Sequence, residues 1–207
     1  MNFRHVIVSG LALLLATPAL AEGTPTVVRV FDHLVAFELP AGFAPAQDET
    51  SGDIHTWYAL PQGETMENWT QAISLVSDKS RFEQDPSAGA SMESSAWYKL
   101  CKDTFDESTF GSSDIPGSRL GGYGYWVSCG TRADVGPPRA ENMLFVAISG
   151  PATSILGWAR RPPAQDKTMT PHDDATIEPR LAALTASVRL CPLAKGEGPP
   201  YASCQAK

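Results

Sequence analysis

The sequence predicts an α+β domain, a largely antiparallel sheet flanked by two helices. Three observations predict it. Short β-rich runs bounded by Gly, Pro or Asp recur between residues 26 and 160. Two stretches, Ser91–Glu107 and Ile177–Arg189, carry apolar residues at helical spacing. The strands follow one another instead of alternating with helices, which favours antiparallel pairing over a parallel βαβ sheet.

Residues 1–21 read as a secretory signal peptide. Arg4 and His5 supply the positive start, Val6–Leu15 is a short apolar run, and Pro18 precedes Ala19-Leu20-Ala21, a small-x-small cleavage pattern. The run is shorter than the ~20 residues a bilayer span needs. The expected division is a leader at 1–21, one α+β domain at 22–190, and a C-terminal tail at 191–207.

Thr26–Asp32 is the first expected strand, with Val27, Val28, Val30 and Phe31 apolar, and Leu34–Leu39 the second. Asp32-His33 reads as their hairpin link, and Pro40 with Gly42 ends the pair. Phe43–Asp53 reads as a loop. Ile54–Leu60 is a strand stopped by Pro61, and Thr65–Asn68 one helical turn. Trp69–Val76 alternates, with Trp69, Gln71, Ile73 and Leu75 on one face. In Ser91–Glu107, Trp97, Leu100, Cys101, Thr104 and Phe105 share one helical face, and Glu93 near the start suits the helix dipole. Tyr123–Thr131, Asn142–Ser149 and Thr153–Arg160 then form a meander, with Gly150-Pro151 as a turn. The last helix, Ile177–Arg189, aligns Ile177, Leu181, Leu184 and Val188, with Thr176 as N-cap and Pro179 in the first turn.

The composition is that of a globular chain: 207 residues, 43% hydrophobic and 19% charged. Sixteen Lys and Arg against 23 Asp and Glu give a net charge of -7, which argues against non-specific nucleic-acid binding. Beyond the leader no stretch approaches the length of a membrane span, so no stable membrane anchor is expected.

Four cysteines in an exported chain suggest two disulfides. Nearest-neighbour pairing gives Cys101–Cys129, tying the buried face of the first helix to a strand, and Cys191–Cys204, clipping a Gly- and Pro-rich tail. Neither CxxC nor CxxCH occurs, so thioredoxin-type chemistry and covalent haem lack their motifs.

The element order and the positions of the two helices resemble the PsbP-like fold, an α/β/α sandwich around an antiparallel sheet. Pro61–Thr70, a Pro-x-Gly-Glu turn leading into Asn-Trp-Thr, resembles a segment of small exported bacterial proteins of unassigned role. Proteins of that fold are mainly accessory modules: some assist photosystem assembly and one binds a small GTPase. The resemblance implies a binding or assembly role and transfers no catalytic residue.

The chemistry-bearing residues are few. His33 falls at the hairpin link and His55 at a strand start, so both are expected near solvent. His172-Asp173-Asp174 is the most ligand-like cluster, although its acids suit the start of a helix. No HExxH or GxSxG occurs, and no metal or cofactor is assigned. Arg160-Arg161 and the Lys79/Arg81 spot read as solvated loop ends. The candidate ligand-binding residues are Trp57, Tyr58, Glu64 and Trp69; of the adjacent pair Trp57-Tyr58, opposite strand faces put one outward. The expected function is an exported, non-catalytic binding or assembly protein of the periplasm, acting on a periplasmic protein or a small ligand. The alternative is a small exported hydrolase whose Ser-His-Asp triad assembles only in space.

Overall fold

A computed structural model describes residues 23–81, 84–132, 139–162 and 177–205. The leader, the Pro-rich stretch at 136–138, His172-Asp173-Asp174 and Thr176 lie outside them. The chain runs β1 (Thr24–Val30), β2 (His33–Leu39), β3 (Phe43–Ser51), β4 (Ile54–Pro61), β5 (Gln71–Asp78), α1 (Pro86–Cys101), β6 (Phe105–Ser113), β7 (Gly122–Arg132), β8 (Arg139–Ile148), β9 (Thr153–Arg160), α2 (Ile177–Ser187) and β10 (Arg189–Pro192).

The strands form two sheets. β3-β4-β5-β9-β8-β7-β6 make a seven-stranded sheet, and β1-β2-β10 a three-stranded one, with every pairing antiparallel. Alternation along each strand gives the large sheet two apolar faces. One face packs on the small sheet: Val28, Val30, Val35 and Phe37 meet Trp57, Ile73, Leu75 and Leu156 in one core. Phe37 and Trp57 meet edge to face, with ring centroids 5.4 Å apart. α2 covers the neighbouring part of that face, setting Ile177 and Leu181 against Trp126 and Leu144. The opposite face carries α1, whose Ala90, Trp97 and Cys101 pack on Tyr125, Val127, Cys129 and Phe145.

Asp85 starts α1: its Oδ1 accepts from the Ser87 and Ala88 amides, and Pro86 occupies the first turn, where its missing N–H is harmless. A buried polar cluster docks the helix. Tyr125 Oη donates to Glu107 Oε2 at 2.8 Å, and Ser94 Oγ donates to the same carboxylate. Both disulfides form as the spacing suggested: Cys101–Cys129 and Cys191–Cys204, with Cα–Cα separations of 5.6 and 5.5 Å.

The expected single sheet flanked by two helices in an α/β/α sandwich is overturned. The fold is mostly β, with two antiparallel sheets packed face to face and a helix on each side of the larger one. The β1–β2 hairpin does not extend the large sheet; it pairs with β10, which follows α2 directly. Phe43–Ser51, expected as a loop, is edge strand β3. The first helix begins and ends earlier than expected: it stops at Cys101, and after one short 3-10 turn Phe105 opens edge strand β6. Leu100, assigned to its buried face, is 41% exposed. Thr65–Asn68 forms a bend closed by Asn68 N–H donating to Thr65 O, without a helical turn.

Candidate functional site

α1 rests on β6, β7 and β8 and reaches only the near side of β9, so the β4–β5 side of the same face lies beyond its edge. On that side the floor residues are small. Ala72 pairs with Ala159 and Ser74 with Gly157 across β5 and β9. Small neighbours on one face leave a hollow, because no side chain fills the space above the backbone. Met143 from β8 leans into it: a Cβ on Gly157 would stand 2.8 Å from the Met143 Sδ. The result is a cavity of about 300 Å³ between the helix edge and the sheet. Trp97 walls it from α1, Trp69 from the β5 approach, Tyr58 from β4 and Met66 from the preceding turn. A cavity of this volume is at the small end of ligand sites, which run about 300–1,000 Å³ and are walled mainly by apolar groups.

Four charged side chains line the same space: Glu93, Arg132, Glu141 and Arg161. Glu141 accepts from two cations, Arg132 Nη1 at 3.1 Å and Arg161 Nε at 3.0 Å, and these side chains are 6%, 12% and 11% exposed respectively. Charges this deeply buried persist only when paired. Each arginine also lies over a cavity wall: Arg161 over the Trp69 ring at 3.3 Å from its centroid, Arg132 over Trp97 at 5.7 Å. Burial pulls the Arg161 pKa down while the Glu141 carboxylate holds it up.

Glu93 differs. Its Oε1 accepts from Trp97 Nε1 at 3.1 Å, and among the described residues no cation pairs with it. Arg81, whose charge acts on it from a distance, is itself paired with Asp78 at 2.8 Å. Burial raises the Glu93 pKa above the ordinary carboxyl value, against the Trp97 hydrogen bond and Arg81, which lower it. Burial also raises the Tyr58 phenol, and the carboxylates of Glu93 and then Glu141 push it the same way against Arg161.

Of the four expected ligand-binding residues, the cavity unites Tyr58 and Trp69. Trp57 does not join them. It is 3% exposed on the opposite face, inside the core between the sheets, while Tyr58 is half-buried on the α1 side, where it lines the cavity. Glu64 stays local: its carboxylate caps the turn before β5, accepting from the Thr70 N–H and Oγ1, both at 2.6 Å. Glu93, Trp97, Arg132, Glu141 and Arg161 also line the cavity and are not among the expected binding residues. The signals were the i, i+4 spacing of Glu93 and Trp97 and an arginine directly after β9. Arg161, expected as a solvated loop end, is a buried ion-pair partner.

The histidines also depart from expectation. His33 and His55 are 3% and 2% exposed, the first on the smaller sheet and the second on the larger one, where the two sheets pack together. His55 Nε2 lies 3.0 Å from Asp48 Oδ1, and His55 sits opposite Ser77 across β4 and β5. Ser77 is fully buried and spends its hydroxyl on Ser154 at 2.8 Å, and His55 Nδ1 has no partner. The set has the residue types of a hydrolytic triad without the serine–histidine contact or an opening for substrate. Among the described residues no group of three or more His, Cys, Asp or Glu has the arrangement to hold a metal ion, and no helix is long and apolar enough to cross a membrane.

Comparison with protein-family models and with curated proteins finds no match to this chain.

Proposed function

We propose that this chain is an exported, non-catalytic binding protein that holds a small ligand in the cavity between α1 and the β4–β5 side of the large sheet. The observation that carries the reading is the combination of an aromatic-walled hollow of about 300 Å³ with a half-buried carboxyl, Glu93, that pairs with no cation among the described residues. Small ligands are held by apolar walls and oriented by a few polar groups, and the cavity supplies both. The export half of the proposal rests on the leader pattern and on two disulfides, which persist in oxidising compartments. The test is native mass spectrometry of protein isolated from a periplasmic extract, beside Ser74→Leu, which fills the hollow. A stoichiometric small-molecule adduct on the wild type that Ser74→Leu lacks, with an unchanged melting temperature, is the expected result. A wild type free of any adduct that turns over 4-nitrophenyl acetate would replace the binding role with a hydrolytic one.

A further inference from the structure

We infer that the ligand of this cavity is a small organic ammonium, a single positive charge on an apolar or aromatic body, anchored by Glu93. The inference rests on the binding role proposed above and concerns what the cavity selects. Its charges are unequally committed. Glu141 uses both oxygens on Arg132 and Arg161, and those guanidiniums lie over Trp97 and Trp69. The cationic side of the cavity is therefore engaged before any ligand arrives. The acidic side is not: Glu93 Oε1 takes the Trp97 indole N–H, and among the described residues Oε2 has no partner. An anionic ligand would have to share the arginines with Glu141, whereas a cation meets Glu93 Oε2, which has no partner among the described residues.

The Glu93 carboxyl also lies near the Tyr58 phenol, which it pushes upward ahead of Glu141 and against Arg161. A cation entering beside Tyr58 therefore comes close to that acceptor. The rest of the wall suits the body of such a ligand. Met66 and Met143 are adaptable apolar surfaces, and the ring of Tyr58 offers a π face to an ammonium. A carboxyl desolvated in the empty cavity regains a full charge-assisted hydrogen bond when the ammonium binds, the strong kind of contact. Ammonium binding favours the ionised form of Glu93 over the protonated one.

Calorimetry with three probes of one shape tests this: phenethylamine, phenethyl alcohol and 3-phenylpropionate, each with the wild type and with Glu93→Gln. Gln keeps an acceptor for Trp97 Nε1, so the variant is expected to fold with the wild-type melting temperature. The expected result is that the amine binds tightest and that Glu93→Gln weakens it about tenfold or more, an effect of about 1.4 kcal/mol or above. Wild-type affinity for the amine should fall on acidification as Glu93 is protonated, with proton release on binding, and Glu93→Gln should lack that dependence. Equal binding of amine and alcohol, or preference for the carboxylate, overturns the ammonium inference and leaves the binding role standing. Binding of none of the three overturns both.

Discussion

His33 has no hydrogen-bond partner on either ring nitrogen although it is 3% exposed. Burial lowers its pKa from 6.5, Asp32 opposes that shift, and the nearby His55 adds to it. The unfolded chain therefore takes up the proton first as pH falls. His33 contributes no penalty well above pH 6.5, and stability declines as pH drops beneath 6.5 toward the lower folded value. One such group steepens the acid limb by at most about 1.4 kcal/mol per pH unit. Melting temperatures between pH 7.5 and 4.5 should show a shallower acid decline in His33→Leu than in the wild type. The Glu141 triad gives a larger effect at neutral pH. Glu141→Gln leaves Arg132 and Arg161 buried without their carboxylate, and urea unfolding should register a loss of about 3–5 kcal/mol. At this scale the sequence was legible where chemistry is carried by type. Cysteines pair with their neighbours in sequence, and Trp69 and Tyr58 reach a cavity. It was misleading where burial decides, because nothing in the sequence near His33 or His55 records that the two sheets will pack against each other.

The strands that escaped sequence reading share a property. β3 and β6 are the two edges of the large sheet, polar along most of their length and each interrupted by an irregularity in pairing, at Pro45/Gln47 and Thr109/Gly111. An edge strand needs no apolar alternation, and polar residues there guard against pairing with other chains. β10, with four residues, is too short to announce itself. Its place is set by the β6–β7 connection, where Pro116 O accepts from Leu190 N–H at 2.8 Å. Gly117, next in that connection, has a φ of 83°, and a Cβ there would collide with the Leu190 carbonyl oxygen. Both the backbone conformation and the close approach require glycine. Gly117→Ala should cost about 2–4 kcal/mol in urea unfolding, and hydrogen exchange should show β10 opening before the large sheet.

For the whole molecule, the fold class was misjudged by one topological fact. From sequence, the first two strands are expected in one sheet with Ile54–Leu60 and the later strands, as neighbours in sequence usually pair. Pro40 and Gly42 instead turn the chain from one sheet into the other, and β10 returns at the far end to complete the smaller one. The pairing between distant segments that defines β10 carries no local signal. Covalent constraints were easier to read. Replacing Cys191 and Cys204 by Ser should lower stability by about 3 kcal/mol, the chain-entropy value for a loop of that length. The Cys101–Cys129 disulfide closes a longer loop, so the same exchange there should cost slightly more. Intact-mass measurement of the protein recovered from its native compartment should find a chain beginning at Glu22 with no free thiols.

The Trp97 carbonyl oxygen lies 3.5 Å from Cys101 Sγ and 3.9 Å from Cys129 Sγ, while its indole forms a wall of the cavity and holds Glu93. The covalent cross-link and the recognition surface thus meet in a single residue. Occupancy of the cavity should follow the presence of that cross-link, so replacing Cys101 and Cys129 together by serine ought to weaken ligand binding while leaving the circular dichroism of the sheets unchanged.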